Sequence, residues 1–333
     1  MSILYSIQGP DDLTVTTLPT PIPKPTEYLI HIHASATNFF DLLQIQGKYQ
    51  TQPPLPWISG MEFAGVVAST PSAIRNSKFK VGDRVFGAAQ GAYAEMVCAE
   101  EDAIRGVPEG WGFLEAAGLM VTAPTSYAGL VIRGKIKKGD YVLIHASAGG
   151  VGLSAIQIAK AYGATVIATA STERKLSIAR SYGADHTLLS TSRTWPASVS
   201  SLTPGLRGVD IVYDPVGLIT ESLKCAAWNA RLLVIGFAAG KIEKVALNRV
   251  LLKNVSLVGL FWGRYAKVEP EVVEEVWSGL FGLMREGKFR PTVFTEREFV
   301  GLESIGEALK ALGGRKTWGK VVVKVPQSGE SKM

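Results

Sequence analysis

The pattern of apolar and polar positions divides the chain into two parts. Up to about residue 115, alternating runs such as Tyr28–His33 and short apolar runs such as Phe63–Ala68 are separated by turn residues. Prolines at positions 19, 21, 23, 25, 53, 54 and 56 mark further loops. Alternation with frequent turn signals is typical of strands joined by loops. We therefore predict an irregular, β-rich unit in this part.

From Glu115 onward, short apolar strands alternate with helical stretches. Strands are predicted at 141–145, 165–170, 211–213, 231–236 and 255–261, and helices at 152–162 and 172–182, each of these two followed by Gly-Ala. Such alternation with short connections predicts right-handed crossovers and a doubly wound parallel sheet. The tail from Glu269 is expected to return to the first unit. The predicted domains are thus residues 1–120 completed by 263–333, and residues 121–262.

Composition narrows the class of protein. The chain has 333 residues, of which 47% are hydrophobic and 19% are charged, and it carries a formal net charge of +6. No apolar run reaches the roughly 18 residues of a membrane helix, and the first residues lack a targeting pattern, so we expect a soluble, cytoplasmic protein. Two cysteines exclude a disulfide framework and a four-cysteine zinc site. The charge suits an anionic cofactor or a soluble surface, and we do not expect nucleic-acid binding.

A glycine-rich turn follows the first strand of the second part. The segment Tyr141–Gly152 runs from apolar residues through Ala148, Gly149, Gly150, Val151 and Gly152 into a helix. A pyrophosphate needs backbone N–H groups at a helix N-terminus that no side chain blocks. Gly149 would allow the close approach and Gly152 the tight helix–strand packing. The alternative is a βα turn without a ligand, but the position within a βα series favours cofactor binding.

The end of the next strand indicates which dinucleotide would bind. An NAD site has an acidic residue about 20 residues past the turn, whereas this strand ends in Ala170-Ser171-Thr172. Lys175 follows within one turn, and hydroxyl groups with cations suit the 2′-phosphate of NADPH. Glu173 argues against this, although an acidic residue is also common at a helix start. Lys175 could equally lie on a solvated helix face.

Several motifs in order carry a resemblance to a known family. They are Asn38-Phe39-Phe40-Asp41, Gly60–Val67, Val81–Val85, Glu115-Ala116-Ala117, Ala146–Gly152 and Tyr213–Gly217. With them the chain resembles, over nearly its whole length, the zinc-independent quinone oxidoreductases of the medium-chain dehydrogenase/reductase superfamily. The resemblance implies a GroES-like catalytic domain, a Rossmann domain, and NADPH-dependent reduction in the cleft between them.

The residues at the zinc positions of related enzymes also bear on the chemistry. Zinc-dependent relatives have Cys where this chain has Asn38 and His where it has Met61, and amide and thioether groups are poor zinc ligands. His31 and His33 could chelate in principle, but a half-exposed strand explains them better. We therefore expect a metal-free enzyme that transfers hydride to a quinone or another α,β-unsaturated carbonyl.

The resemblance also implies site residues. Asn38 and Tyr49 would line the substrate side as hydrogen-bond donors, although both could merely shape a loop, and an aromatic residue of some relatives is replaced by Leu43. Ser171, Lys175 and Arg315 would hold the 2′-phosphate, while a further aromatic residue of relatives is replaced by Ser190. The remaining predicted cofactor contacts are Thr122, Gly236, Phe237, Phe261, Trp262 and Lys320. For Phe261 and Trp262, core packing is the alternative.

Assembly, location and rival functions complete the expectations. The resemblance also implies a homodimer, in which the last Rossmann strand pairs with its copy; the apolar strand 255–260 suits this, since an uncovered edge strand is a liability. The final Ser331-Lys332-Met333 resembles a peroxisomal address, so a peroxisomal location is the alternative to the cytoplasm. One rival function is reduction of enoyl thioesters in lipid or polyketide metabolism. Another is an NADPH-binding redox sensor or RNA-binding protein with little catalysis.

Overall fold

The chain forms two units, one of which is discontinuous in sequence. A computed structural model describes residues 1–4 and 9–327, so the C-terminal tripeptide on which the peroxisomal alternative rests lies outside the described residues. Unit 1 comprises Met1–Val121 and Pro291–Met333, and unit 2 comprises Thr122–Arg290. Within residues 1–4 and 9–327, no helix has the length and apolar character needed to cross a membrane.

Unit 1 is the β-rich part. Its strands are β1 Ser2–Leu4, β2 Leu13–Val15, β3 Glu27–Ala36, β4 Trp57–Ile58, β5 Glu62–Ser69, β6 Arg84–Ala88, β7 Met96–Glu100, β8 Ile104–Gly106, β15 Phe299–Val300 and β16 Val322–Lys324. Its helices are α1 Phe39–Ile45, α2 Phe113–Ala117 and α11 Ile305–Gly313. The main sheet has the order β15-β16-β3-β5-β6-β8, with β7 paired to β3.

The long strand β3 explains why this sheet forms. Its side chains alternate, with Tyr28, Ile30 and Ile32 fully buried and the intervening residues partly exposed. Alternation of this kind places one face of an antiparallel strand against the core. The C-terminal strand β16 pairs with β3 in antiparallel register, Val322 opposite Ala36. The end of the chain is thereby brought beside the segment that begins α1.

Unit 2 is a doubly wound parallel sheet. Its strands are β9 Tyr141–Ile144, β10 Thr165–Ala170, β11 His186–Leu189, β12 Val209–Asp214, β13 Ala226–Val234 and β14 Ser256–Gly259. Its helices are α3 Thr122–Tyr127, α4 Gly150–Ala161, α5 Glu173–Ser181, α6 Trp195–Ser201, α7 Ile219–Ser222, α8 Leu247–Lys253, α9 Tyr265–Val268 and α10 Pro270–Arg285. The strand order is β11-β10-β9-β12-β13-β14, with parallel pairing throughout. The predicted α/β fold, GroES-like plus Rossmann, is confirmed.

The boundary between the units differs from the expected one. Residues 263–290 were expected in the first domain but belong to unit 2. The reason is the amphipathic helix α10, which buries Val276 and Trp277 and packs on α3. The contact is close, because a Cβ atom on Gly279 would overlap the phenol of Tyr127.

Candidate active site

The glycine-rich turn lies at the point where the strand order of unit 2 reverses. Strand β9 is flanked by β10 on one side and β12 on the other, and ligands bind such sheets outside the carboxyl ends of the strands at this point. Helix α4 begins at Gly150 with Gly149 as its N-cap. The first amides of a helix have no partner within the helix, and a glycine cap has no side chain to satisfy them. These amides suit a pyrophosphate.

Gly152 serves packing rather than ligand approach. A Cβ atom there would lie 2.5 Å from the carbonyl oxygen of Ala146 and 2.7 Å from the carbonyl carbon of Ser147. Separations below about 3 Å do not occur for real Cβ atoms, so any larger residue would push the turn away from the helix. At Gly149 the nearest atom, the Ala146 oxygen, would be 3.3 Å away. The two glycines thus differ in their surroundings: Gly152 is closely packed against the turn, and Gly149 is less crowded by the protein.

The other predicted cofactor residues of unit 2 follow neighbouring strands. Ser171 comes directly after β10 and is exposed, and Lys175 lies in the first turn of α5, where its amide donates to Thr172 Oγ1 at 3.3 Å. Gly236 and Phe237 follow β13. Because parallel strands end at the same edge of a sheet, these segments share that edge with the glycine-rich turn.

For three further residues that were predicted to contact the cofactor, the position in the fold does not decide the role. Phe261 and Trp262 follow β14, and Phe261 is 54% exposed, which is more than core packing would leave. Trp262 stacks on Tyr265 with ring centroids 5.4 Å apart. Thr122 is buried at the start of α3. Whether any of them contacts a cofactor stays a prediction.

In unit 1, the structure brings Asn38 and Lys320 together around a buried carboxylate. Glu62 is 0% exposed and Lys320 is 3% exposed. The Lys320 ammonium donates to Glu62 Oε2 at 2.6 Å, to Asn38 Oδ1 at 2.6 Å and to the Thr37 carbonyl oxygen at 3.0 Å. Glu62 Oε1 accepts the amide of Val121 at 2.7 Å. We call Asn38, Glu62 and Lys320 the buried cluster.

These contacts fix the direction of the Asn38 amide. Its Nδ2 donates to Glu62 Oε2 at 2.8 Å, while its Oδ1 faces the Lys320 ammonium. The reversed orientation would place the amide NH₂ against the ammonium and its oxygen against the carboxylate, so it is excluded by charge. In the part of the chain that the structure describes, Nδ2 has one acceptor. Its second N–H is therefore available, and it is polarised by the ammonium on the oxygen side.

Lys320 was expected to contact the cofactor, but in the structure its ammonium holds Asn38 and Glu62 in place. An ammonium has three donors, and each has an acceptor within unit 1. Gly118 makes room for this side chain, because a Cβ atom there would lie 2.9 Å from Lys320 Cβ. The partnership with Glu62 was missed from the sequence. A carboxylate predicted within a buried strand does call for a cationic partner, but its position 258 residues away is not readable.

The remaining predicted residues of unit 1 lie near the surface. Tyr49 is partly buried and its ring stacks on Phe40 of α1, with centroids 5.6 Å apart. Burial raises the pKa of the Tyr49 phenol above its usual value of 10, and the charge of Asp41 adds to this. Tyr49 therefore keeps its proton at neutral pH and is a hydrogen-bond donor. Arg315 is exposed after α11, with a positive φ of 55°.

The donor set around Asn38 does not suit zinc. Across residues 1–4 and 9–327, no group of three or more His, Cys, Asp or Glu side chains is placed to hold a metal ion. The Asn38 side chain contacts the Glu62 carboxylate, whose Oε2 is already bound by Lys320 and Asn38. An ammonium within hydrogen-bond distance opposes a second cation. No step of the chemistry is therefore assigned to a metal.

Together, a GroES-like unit and a Rossmann unit with an open glycine-rich turn define an oxidoreductase of the medium-chain dehydrogenase/reductase class. Two family models match the chain, the alcohol dehydrogenase GroES-like domain at residues 24–132 and the zinc-binding dehydrogenase at residues 150–278.

Comparison with individual proteins narrows the class. The chain is 33% identical over 303 residues to "Quinone oxidoreductase-like protein 2 homolog" of Nematostella vectensis, covering 90% of this chain and 81% of that protein. It is 28% identical to the crystal structure of Escherichia coli quinone oxidoreductase complexed with NADPH, with a TM-score of 0.88 and coverage of 97% and 99%. It is also 33% identical over 320 residues to a mycocerosic acid synthase-like polyketide synthase of Mycobacterium tuberculosis, spanning 93% of this chain and 14% of that protein. The chain belongs to the quinone oxidoreductase-like family of medium-chain dehydrogenases/reductases.

Proposed function

We propose that the chain is an NADPH-dependent, zinc-free reductase that transfers hydride to a quinone or another α,β-unsaturated carbonyl. The observation that carries the proposal is the buried cluster. At the position where zinc-dependent relatives have a cysteine ligand, Asn38 is held between an ammonium and a carboxylate. A site of this composition offers a hydrogen bond rather than a Lewis acid, and that suffices for an acceptor whose carbonyl is already activated by conjugation.

NADPH is supported over NADH by the end of β10. The strand ends without a carboxylate, and Ser171 and Lys175 follow it at the sheet edge that the glycine-rich turn shares. NADPH bound in the E. coli enzyme of known structure supports the same choice. We therefore assign the 2′-phosphate to Ser171 and Lys175, and the pyrophosphate to the first-turn amides of α4.

The protein's own part in the reaction falls to Asn38 and Tyr49. When bound, NADPH would supply the hydride. The second Nδ2–H of Asn38 donates to the acceptor's carbonyl oxygen, where negative charge develops as the hydride arrives. Lys320 strengthens this donor through the amide oxygen, and Glu62 fixes its direction. The Tyr49 phenol, protonated at neutral pH, is the second donor.

Substitution of Asn38 tests the catalytic assignment. Asn38→Ala should lower kcat for quinone reduction by about 100-fold, which is the usual loss when one oxyanion donor is removed, while NADPH affinity stays within about twofold. Asn76→Ala, an exposed asparagine of the same unit, is the matched control and should leave kcat unchanged. An Asn38→Ala enzyme with the wild-type kcat would overturn the assignment.

Substitution of Lys175 tests the cofactor assignment. Lys175→Ala removes a charge-assisted bond to the 2′-phosphate, so NADPH affinity should fall at least about 10-fold while NADH affinity is unchanged. Lys224→Ala changes an exposed lysine of the same unit, which pairs with Glu221 at 2.6 Å, and should alter neither affinity. A Lys175→Ala enzyme with unchanged NADPH affinity would contradict the assignment.

A second candidate function is reduction of enoyl thioesters. It is favoured by the similarity of nearly the whole chain to a segment of a polyketide synthase. An enoyl thioester is also a conjugated carbonyl, so the same donors would serve it. Crotonyl thioester and 9,10-phenanthrenequinone, assayed side by side with NADPH, separate the two: a kcat/KM at least about 100-fold higher for the thioester would favour the enoyl reductase.

We further propose a homodimer formed through β14. This strand ends the sheet order, and α8, which precedes it in the chain, exposes Leu247, Leu251 and Leu252 by 71–75%. Pairing of β14 with its copy would satisfy the edge and cover apolar surface. Sedimentation should give about twice the chain mass of 35.7 kDa, and a single-chain mass at micromolar concentration would refute the dimer.

We place the protein in the cytoplasm, with the peroxisome as the alternative. The alternative rests on Ser331-Lys332-Met333 alone. A fluorescent reporter extended by the last ten residues should stay diffuse if the cytoplasmic location is right, and should collect in peroxisomes if the tripeptide is read as an address.

A further inference from the structure

A buried aspartate lies one helical turn from Asn38 and has no part in the chemistry described so far. Asp41 is the third residue of α1 and is 1% exposed. Its Oδ2 accepts the backbone amide of Asn38 at 2.7 Å and the hydroxyl of Tyr93 at 2.7 Å. Its Oδ1 is buried and has no hydrogen-bond partner among the described residues. Buried carboxylates are costly unless hydrogen-bonded, so this half-satisfied group calls for an explanation.

Tyr93 is fixed by the backbone around it. The residue is fully buried, and its amide donates to the Ser59 carbonyl oxygen at 2.9 Å. Its ring lies against Gly60, where a Cβ atom would be only 2.3 Å from Tyr93 Cδ1, and Gly60 has a φ of +87°. Gly60 thus permits the ring position, and the ring position aims the hydroxyl at Asp41. Tyr93 thereby ties the start of α1 to the segment that leads into β5.

The groups around Asp41 have opposing effects on the pKa of its carboxyl group. Burial raises the pKa of the Asp41 carboxyl to about 7, against the hydrogen bonds of Tyr93 and the Asn38 amide and the charge of Lys320, which favour the ionised form. Glu62 acts in the same direction as burial. Burial also raises the pKa of Tyr93 well above 10, and Tyr49 is raised as well, so both phenols keep their protons. Asp41 is thus poised to change charge near neutral pH.

We propose that Asp41 and Tyr93 form a positioning pair for Asn38, and that the reductase requires Asp41 in its ionised form. The ionised carboxylate accepts both the Asn38 amide and the Tyr93 hydroxyl, which fixes the first turn of α1 and with it the donor direction of the Asn38 side chain. A proton on Asp41 turns one acceptor into a donor and weakens both bonds. This inference rests on the proposed function, because it assumes that Asn38 contacts the acceptor.

The pH dependence of turnover carries the test. In wild type, kcat for quinone reduction at saturating NADPH should rise with pH through an acid limb near pH 7. Tyr93→Phe removes a bond that favours the ionised carboxylate, so its limb should move upward by about one pH unit. Asp41→Asn should show no limb and a kcat about 10- to 100-fold below wild type, because misplaced groups lose rate by such factors. A purely structural role would lower kcat without moving the limb.

A matched control and the contrary outcomes complete the design. Tyr127→Phe removes the hydroxyl of another buried tyrosine, one that bonds Tyr162 in unit 2, and its limb should coincide with that of wild type. An active wild type with a flat profile from pH 6 to 8, or an unmoved limb in Tyr93→Phe, would overturn the inference alone. Inactivity of wild type toward every acceptor would defeat the proposed function as well. If Asp41→Asn does not fold, the wild-type and Tyr93→Phe profiles still decide.

Discussion

Replacing Lys320 with methionine is the perturbation that the buried cluster makes most informative. Methionine keeps the length and apolar stem of the side chain but removes the ammonium. The Glu62 carboxylate is then left buried, with Asn38 and the Val121 amide as its remaining partners. Breaking a buried ion pair by removing one partner costs about 3–5 kcal/mol, chiefly because an uncompensated charge stays in the interior.

An exposed ion pair supplies the matched control. Lys224 and Glu221 approach to 2.6 Å, the same separation as Lys320 and Glu62, but their side chains are 57% and 46% exposed rather than 3% and 0%. Solvent-exposed pairs contribute about 0–1 kcal/mol. Lys224→Met should therefore lower the free energy of unfolding by no more than about 1 kcal/mol. The difference between the two variants isolates the effect of burial.

A double variant distinguishes the loss of the ion-pair attraction from the cost of leaving the Glu62 charge buried without a partner. In Lys320→Met combined with Glu62→Gln, neither member of the pair carries a charge, so the loss should shrink to about 1–2 kcal/mol. Urea unfolding at pH 8, followed by circular dichroism, measures all three variants against wild type. Equal losses in Lys320→Met and Lys224→Met would refute the reasoning, and so would a double variant less stable than Lys320→Met.

Three further predictions concern the turn and two buried titratable groups. Gly152→Ala should lower the free energy of unfolding more than Gly149→Ala, because its added Cβ would lie 2.5 Å rather than 3.3 Å from the Ala146 oxygen, and Gly149→Ala should weaken NADPH binding by at least about 10-fold in a fluorescence titration, because its Cβ would block the approach of the pyrophosphate. Burial lowers the pKa of His145 to about 3, so the stability of wild type relative to His145→Gln should fall as pH drops from about 6.5 toward 3. Burial raises the pKa of Asp41 to about 7, and its contribution has the opposite sign: in urea unfolding, the stability of wild type relative to Asp41→Asn should fall as pH rises from about 4 to 7.

The Rossmann unit was predictable because its strands carry a strong signal. Strands buried on both faces of a parallel sheet appear as short apolar runs, and β9 and β10 lie where those runs stand. The Gly-Ala pairs after α4 and α5 are also explained, since Gly163 and Gly183 have φ values of 77° and 107°. Strand β11 was missed because its four residues are only partly buried at the sheet edge.

The buried cluster was predictable only in part. Asn38 was singled out by its motif, and Glu62 was noticed as an isolated carboxylate, but their connection to Lys320 depends on the pairing of β16 with β3. Pairing between strands nearly 300 residues apart in sequence is set by tertiary packing, which local patterns do not encode. The position of α10 was unpredictable for the same reason. Its apolar face can be recognised in the sequence, but the sequence does not show that this face packs on α3.

The most direct test of the central claim is NADPH oxidation at 340 nm against a small panel of acceptors, with NADH alongside and a metal chelator as control. The panel holds 1,4-benzoquinone, 9,10-phenanthrenequinone, a 2-alkenal and an enoyl thioester. A zinc-free NADPH reductase should turn over at least one conjugated carbonyl, prefer NADPH to NADH, and keep its full rate with the chelator present. Loss of activity on chelation would contradict the account, as would a preference for NADH.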